Sequence, residues 1–151
     1  MTRAESAVYI ERGIHGAGYT PPQPTSVSFG DVPLSEWFAK WAEALWDDGY
    51  TAGCSSDPLM YCPDQGQTRT EGSVFYLRMM HGVNYVPPAA SGIFADVDKN
   101  YWGEKWIEAA YNAGLIPACQ TGAQLQFCPD DALDRAMAAT MMVQAKGLPI
   151  N

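Results

Sequence analysis

A helix-start motif returns in this chain with a fixed period. Thr2-Arg3-Ala4-Glu5, Thr68-Arg69-Thr70-Glu71 and Asp134-Arg135-Ala136-Met137 are spaced 66 residues apart. A period that long means tandem structural units, so fold and function both have to be argued from the repeat. The motif itself predicts a helix beginning. Thr or Asp accepts from the free N–H groups of a first turn, and a Glu three residues on completes a capping box. Glycines close each predicted helix: Gly16 after the first, Gly82 after His81, and Gly147 after the last.

Between these helices lies a second repeated plan. Phe29-Gly30-Asp31-Val32 is matched by Phe94-Ala95-Asp96-Val97. Leu34, Trp37, Phe38, Trp41, Ala42 and Leu45 recur at helical spacing and predict one apolar helix face. Trp37 and Trp41, with their counterparts Trp102 and Trp106, could be platforms for stacking on sugars, but a stripe at helical spacing places most of them in the core. Trp46 lies beside the face and is expected at the surface, where it becomes a candidate for stacking on a sugar. A loop follows each helix, carrying Cys54 and Tyr61-Cys62-Pro63 in one copy, Cys119 and Phe127-Cys128-Pro129 in the other. The expected organisation is a single domain, 1–151. It holds a half unit at 2–16 and full units at 29–82 and 94–147, joined by Pro-rich connectors at 17–28 and 83–93.

Composition narrows the class. With 47% hydrophobic and 17% charged residues over 151 positions, the chain has enough apolar side chain for a core. The formal charge of −8 comes without any basic cluster, so no nucleic-acid partner is expected. No apolar run is long enough to span a bilayer. The chain carries no basic-then-apolar leader, yet its four paired-by-position cysteines point to an oxidising compartment.

The pairs Cys54/Cys62 and Cys119/Cys128 read as two local disulfides, one per loop, in preference to zinc ligands. Structural zinc favours closer cysteines. Asp96-Val97-Asp98-Lys99-Asn100 opens like a calcium loop, but Tyr101 stands where glycine is required. His15 and His81 each precede a helix-ending glycine, where a positive group suits the helix dipole. No catalytic constellation emerges, so no enzyme, metal or cofactor is expected.

Together the Phe-x-Asp-Val elements, the Trp eight residues after each Phe, the aromatic-Cys-Pro triplets and the Thr-Arg-x-Glu starts resemble the S-layer homology (SLH) repeat. The variety it is similar to contains cysteines and occurs in secreted bacterial proteins. The resemblance covers roughly residues 2–147. It departs at Thr70, where alanine is usual, and at Met137, which replaces the Glu of the box. It implies a mainly α fold, with tandem helix–loop–helix repeats packed as a pseudo-symmetric helical bundle. It also implies an extracellular, bacterial cell-surface location and binding of an anionic cell-wall polysaccharide, with Arg3, Arg69 and Arg135 pairing with the glycan.

Residue chemistry leaves two roles open for these arginines. A guanidinium beside a helix N-terminus suits a carboxylate ligand, and it also suits a structural ion pair with Asp31 or Asp96. Two functions are therefore expected in order. The first is a non-enzymatic surface protein that anchors a layer to the wall polymer. The second is a subunit assembling with copies of itself into a layer, sheath or filament, in which a neighbour covers the helix of the half unit.

Overall fold

The computed structural model describes residues 1–149. The fold is mainly α, with five helices and one two-stranded sheet among the described residues. It divides into two compact units, residues 1–67 and 68–151. This division is staggered against the sequence repeat. Each unit begins with the capped helix that ends one repeat and continues through the tryptophan helix and cysteine loop of the next.

In the first unit, α1 (Arg3–His15) packs on α2 (Ala39–Asp47). Thr2 and Glu5 form the reciprocal capping box that their spacing predicts, and Gly16 closes α1 at φ 105°. The loop after α2 contains the hairpin β1 (Ser55–Ser56) and β2 (Leu59–Met60), antiparallel with Ser55 opposite Met60. Cys54 and Cys62 are disulfide-bonded across it. Gly53 is required here: at φ 77°, a Cβ would stand 2.3 Å from the Met60 carbonyl oxygen. Ile10, Phe29, Val32, Leu45 and Tyr61 form the core of this unit.

The second unit repeats the arrangement with α3 (Arg69–His81), α4 (Glu104–Asn112) and a loop closed by the Cys119–Cys128 disulfide. It adds α5 (Arg135–Ala145), which packs on α3. Thr68 and Glu71 again form a capping box, while Asp134 caps α5 through Met137 N–H. Tyr76, Leu77, Ile107, Leu115, Ile116, Phe127, Leu133 and Met141 are buried in its core. The connector before α4 is fixed by one carboxylate. Glu108 accepts from the backbone of Ser91, Gly92 and Ile93 and from the Ser91 hydroxyl. Burial works to raise the Glu108 pKa, but these N–H bonds outweigh it and hold the carboxyl below its ordinary value.

Two expectations about tryptophan are corrected. The helix expected to begin at Leu34 begins at Ala39, because residues 34–38 form turns. Trp37 therefore projects from a turn and is 57% exposed, and Trp102, its counterpart before α4, is 59% exposed. Trp41 and Trp106 are buried as expected. Trp46, expected at the surface, is half-buried and sits edge-on against Phe29, with ring centroids 5.3 Å apart.

Candidate functional site

The start of each capped helix is where the sequence places a binding function, and in α1 and α3 the structure accounts for its donors. Helices leave four N–H groups unpaired at their beginning. In α1, Arg3 N–H donates to the Gln65 carbonyl (2.8 Å) and Ala4 N–H to Pro63 (3.0 Å). Glu5 N–H goes to Thr2 Oγ1 and Ser6 N–H to the Thr2 carbonyl. In α3 the pattern recurs. Arg69 N–H donates to Asp131, Thr70 N–H to Pro129, and the next two to Thr68. The cysteine loop of each unit is thus the cap of the helix that opens that unit.

The arginine side chains secure the same joint. Arg3 and Arg69 are each only 4% exposed. Arg3 Nε donates to the Tyr61 carbonyl (2.8 Å), with its guanidinium 5.2 Å from the Tyr61 ring centre. Arg69 Nε donates to the Phe127 carbonyl (2.8 Å) and its terminal nitrogens reach the Pro117 carbonyl and Met137 sulfur. Its guanidinium lies 4.7 Å from the Phe127 ring centre, within cation–π range. Burial lowers the Arg69 pKa, opposed by Asp131, Asp96 and Asp134. Arg135, at the start of α5, is exposed.

Asp31 and Asp96 have a part in this joint that the sequence did not suggest. The two Asp31 oxygens accept from Tyr61 N–H and Cys62 N–H, both at 2.7 Å. Asp96 does the same for Phe127 N–H (2.8 Å) and Cys128 N–H (2.7 Å). Each carboxylate holds a cysteine at φ 56°, a left-handed conformation that costs a non-glycine residue roughly 1–2 kcal/mol. Two charge-assisted bonds offset that cost. Phe29 packs against Tyr61 and Phe94 against Phe127, with centroids 5.2 and 5.3 Å apart. The Phe-x-Asp-Val motif is therefore a clamp for the cysteine loop.

A second cluster was not anticipated. Glu11 on α1, His15 one turn later and Asp48 at the end of α2 converge, their ligand atoms within 4.8 Å of one another. His15 Nε2 lies 2.5 Å from Asp48 Oδ2 and 3.6 Å from Glu11 Oε2. Glu11 is fully buried, and neither of its oxygens has a hydrogen-bond partner. Its pKa is raised to about 7, first by burial and then by Asp48, with His15 acting the other way. The i, i+4 spacing of Glu11 and His15 was visible in the sequence, but Asp48 lies 33 residues beyond His15.

Asp96, Cys119 and Cys128 also converge, but both sulfurs are committed to the disulfide and offer no thiolate.

No protein-family model matches the chain. It is 29% identical over 129 residues to the S-layer protein EA1 of Bacillus anthracis and, to the same extent, to an S-layer protein of Bacillus licheniformis. It is 27% identical over 117 residues to an endoglucanase of Bacillus sp. strain KSM-635. These alignments cover 85%, 85% and 78% of this chain but only 14%, 14% and 11% of the relatives. Over most of its described length this chain is thus similar to one small part of S-layer proteins.

Proposed function

We propose that the chain is a non-enzymatic cell-surface module that attaches a layer to an anionic cell-wall polysaccharide. The observation that carries this reading is the pattern of relatives. Proteins named for a surface layer and for an endoglucanase match the same kind of stretch, which is a seventh or less of each. A segment shared between proteins with such different names suits attachment better than catalysis. The paired disulfides suit an extracellular setting, and among the described residues no helix is long and apolar enough to cross a membrane.

Within this reading the proposed glycan contacts differ in availability. Arg135 presents an exposed guanidinium beside a helix start, the arrangement that recognises a carboxylate. Trp37 and Trp102 add exposed aromatic faces at matched places in the two units. Arg3 and Arg69 contribute by shaping the joint, and Trp46 by bracing Phe29. A pull-down with purified wall polymer tests the assignment. Parent chain is expected to sediment with the polymer, and Arg135→Ala to lose most of that binding. Equal binding by the two proteins would remove Arg135 from the site.

A second reading, self-assembly into a layer or filament, is favoured by the exposed apolar groups Leu34, Trp37 and Trp102. Light scattering across a concentration series separates the two. Assembly requires mass to grow without polymer present, and Trp37→Ser with Trp102→Ser to suppress that growth.

A further inference from the structure

We propose that Glu11, His15 and Asp48 form a site for a divalent transition-metal ion, with zinc the best-fitting probe. The donor set is one imidazole nitrogen and two carboxylates, ligands that zinc and its first-row neighbours accept. With a neutral imidazole the two carboxylates carry a charge of −2, which a divalent ion cancels.

The spacing fits. A four-coordinate zinc with bonds of about 2.0–2.1 Å holds adjacent ligand atoms roughly 3.3 Å apart. His15 Nε2 and Glu11 Oε2 stand at 3.6 Å. His15 Nε2 and Asp48 Oδ2 stand at 2.5 Å, joined by a hydrogen bond. That pair has to open by roughly 0.8 Å when an ion replaces the shared proton. Both side chains can move, since His15 is 35% and Asp48 34% exposed. The exposed side of the cluster is the entry path, and it leaves room for water as a fourth ligand.

The second and independent observation is Glu11 itself. A fully buried carboxylate with no hydrogen bond to either oxygen, and only His15 Nε2 at 3.6 Å, is among the most expensive groups a core can hold. The nearby Arg12 is engaged elsewhere: its guanidinium stacks over Trp41, and its Nε donates to the Tyr19 carbonyl. A metal ion satisfies the carboxylate without rearranging the core.

The second unit supplies an internal control. At the positions of Glu11, His15 and Asp48 it has Leu77, His81 and Ala113. The histidine and its ring partner are retained: His15 packs tilted against Tyr19 with centroids 4.3 Å apart, and His81 stacks on Tyr85 at 4.4 Å. Only the carboxylates differ. The histidine–tyrosine stack therefore belongs to the repeat, and the two acids are an addition to it.

The test is calorimetric titration of zinc chloride into the chelator-treated full chain with its disulfides intact. One equivalent is expected to bind. Glu11→Gln and Asp48→Asn are each expected to lower the affinity at least tenfold, and His81→Ala to leave it unchanged. Glu11→Gln removes a buried charge at constant shape, so it should fold, and circular dichroism checks this; Asp48→Asn provides a second, half-exposed position. In NMR spectra the His15 ring signals should shift with zinc and those of His81 should not. Equal affinity in parent and Glu11→Gln, equal shifts of both histidines, or the absence of saturable binding would each overturn the proposal.

Discussion

The two units are built on one plan, and their differences show which residues are plan and which are local solutions. The capping boxes, the buried arginines, the aspartate clamps and the disulfides recur at matched positions. Elsewhere one divergence between the units is a compensating pair. Thr70 replaces Ala4 at the start of α3, and Gly103 replaces Phe38 ahead of α4. These changes belong together: a Cβ on Gly103 would stand 2.2 Å from the Thr70 methyl carbon. The Thr70 hydroxyl meanwhile donates to the Pro129 carbonyl and lies 3.2 Å from the Tyr101 hydroxyl. A departure that looks like erosion of the motif is thus matched within its own unit.

Removing a clamp should have the largest effect. Asp31→Ala and Asp96→Ala each remove two charge-assisted N–H bonds, worth about 1.5–3 kcal/mol apiece where part-buried and less at the exposed Cys128 N–H. Urea unfolding should show a loss of about 4 kcal/mol for Asp31→Ala and a smaller one for Asp96→Ala, and hydrogen exchange should confine each loss to the unit that was changed. Equal protection loss in both units would break the comparison.

Glu11 should be next, and its effect should be confined to the first unit. With a chelator present, its carboxyl is protonated in folded and unfolded chains below pH 4.5. Between pH 4.5 and about 7 the folded chain retains a proton that the unfolded chain releases, so stability falls as pH rises. The full loss, about 3 kcal/mol, is reached above pH 7. Glu11→Gln mimics the protonated form, so at pH 8 it should be the more stable protein by about that amount. The second unit, with Leu77 at this position, should show no such slope.

The disulfides come third. They close segments of similar length, with separations of 8 and 9 residues. Replacing either pair by serine should cost about 2.5 kcal/mol through loop entropy, and the two costs should agree. The smallest change is Tyr61→Phe, which makes the first unit copy Phe127 of the second. It removes the bond from the Tyr61 hydroxyl to the Arg3 carbonyl (2.9 Å) and should cost about 1 kcal/mol.

Much of the helical plan was legible because it depends on local chemistry. A Thr with Glu three residues on specifies its own cap, and cysteines eight or nine positions apart in a loop can find each other. The tryptophans were less legible. Trp37 continues the helical spacing of Trp41 and Leu45, but spacing does not reveal that the chain is still turning until Ala39. The role of Asp31 was hidden because its partners are backbone N–H groups some 30 residues away. A charge next to an arginine-bearing motif suggests an ion pair more readily than a clamp on a loop. The burial of Arg3 and Arg69 was hidden for the same reason, since backbone carbonyls, which have no side-chain signature, accept from both guanidinium groups.

The loop that caps each opening helix has a consequence for how the chain is made. The Arg3 N–H group has to wait for residue 65 before its partner exists, and Arg69 for residue 131. During synthesis α1 therefore emerges with two of its four first-turn N–H groups unpaired, and it cannot complete its cap until more than sixty further residues have left the ribosome. Such a long-range closure delays folding until most of the unit is available. A fragment cut at the apparent repeat boundary, 29–82, would contain a clamped loop without the helix that precedes it and a helix without its loop. Fragments cut at 1–67 retain both partners of the joint.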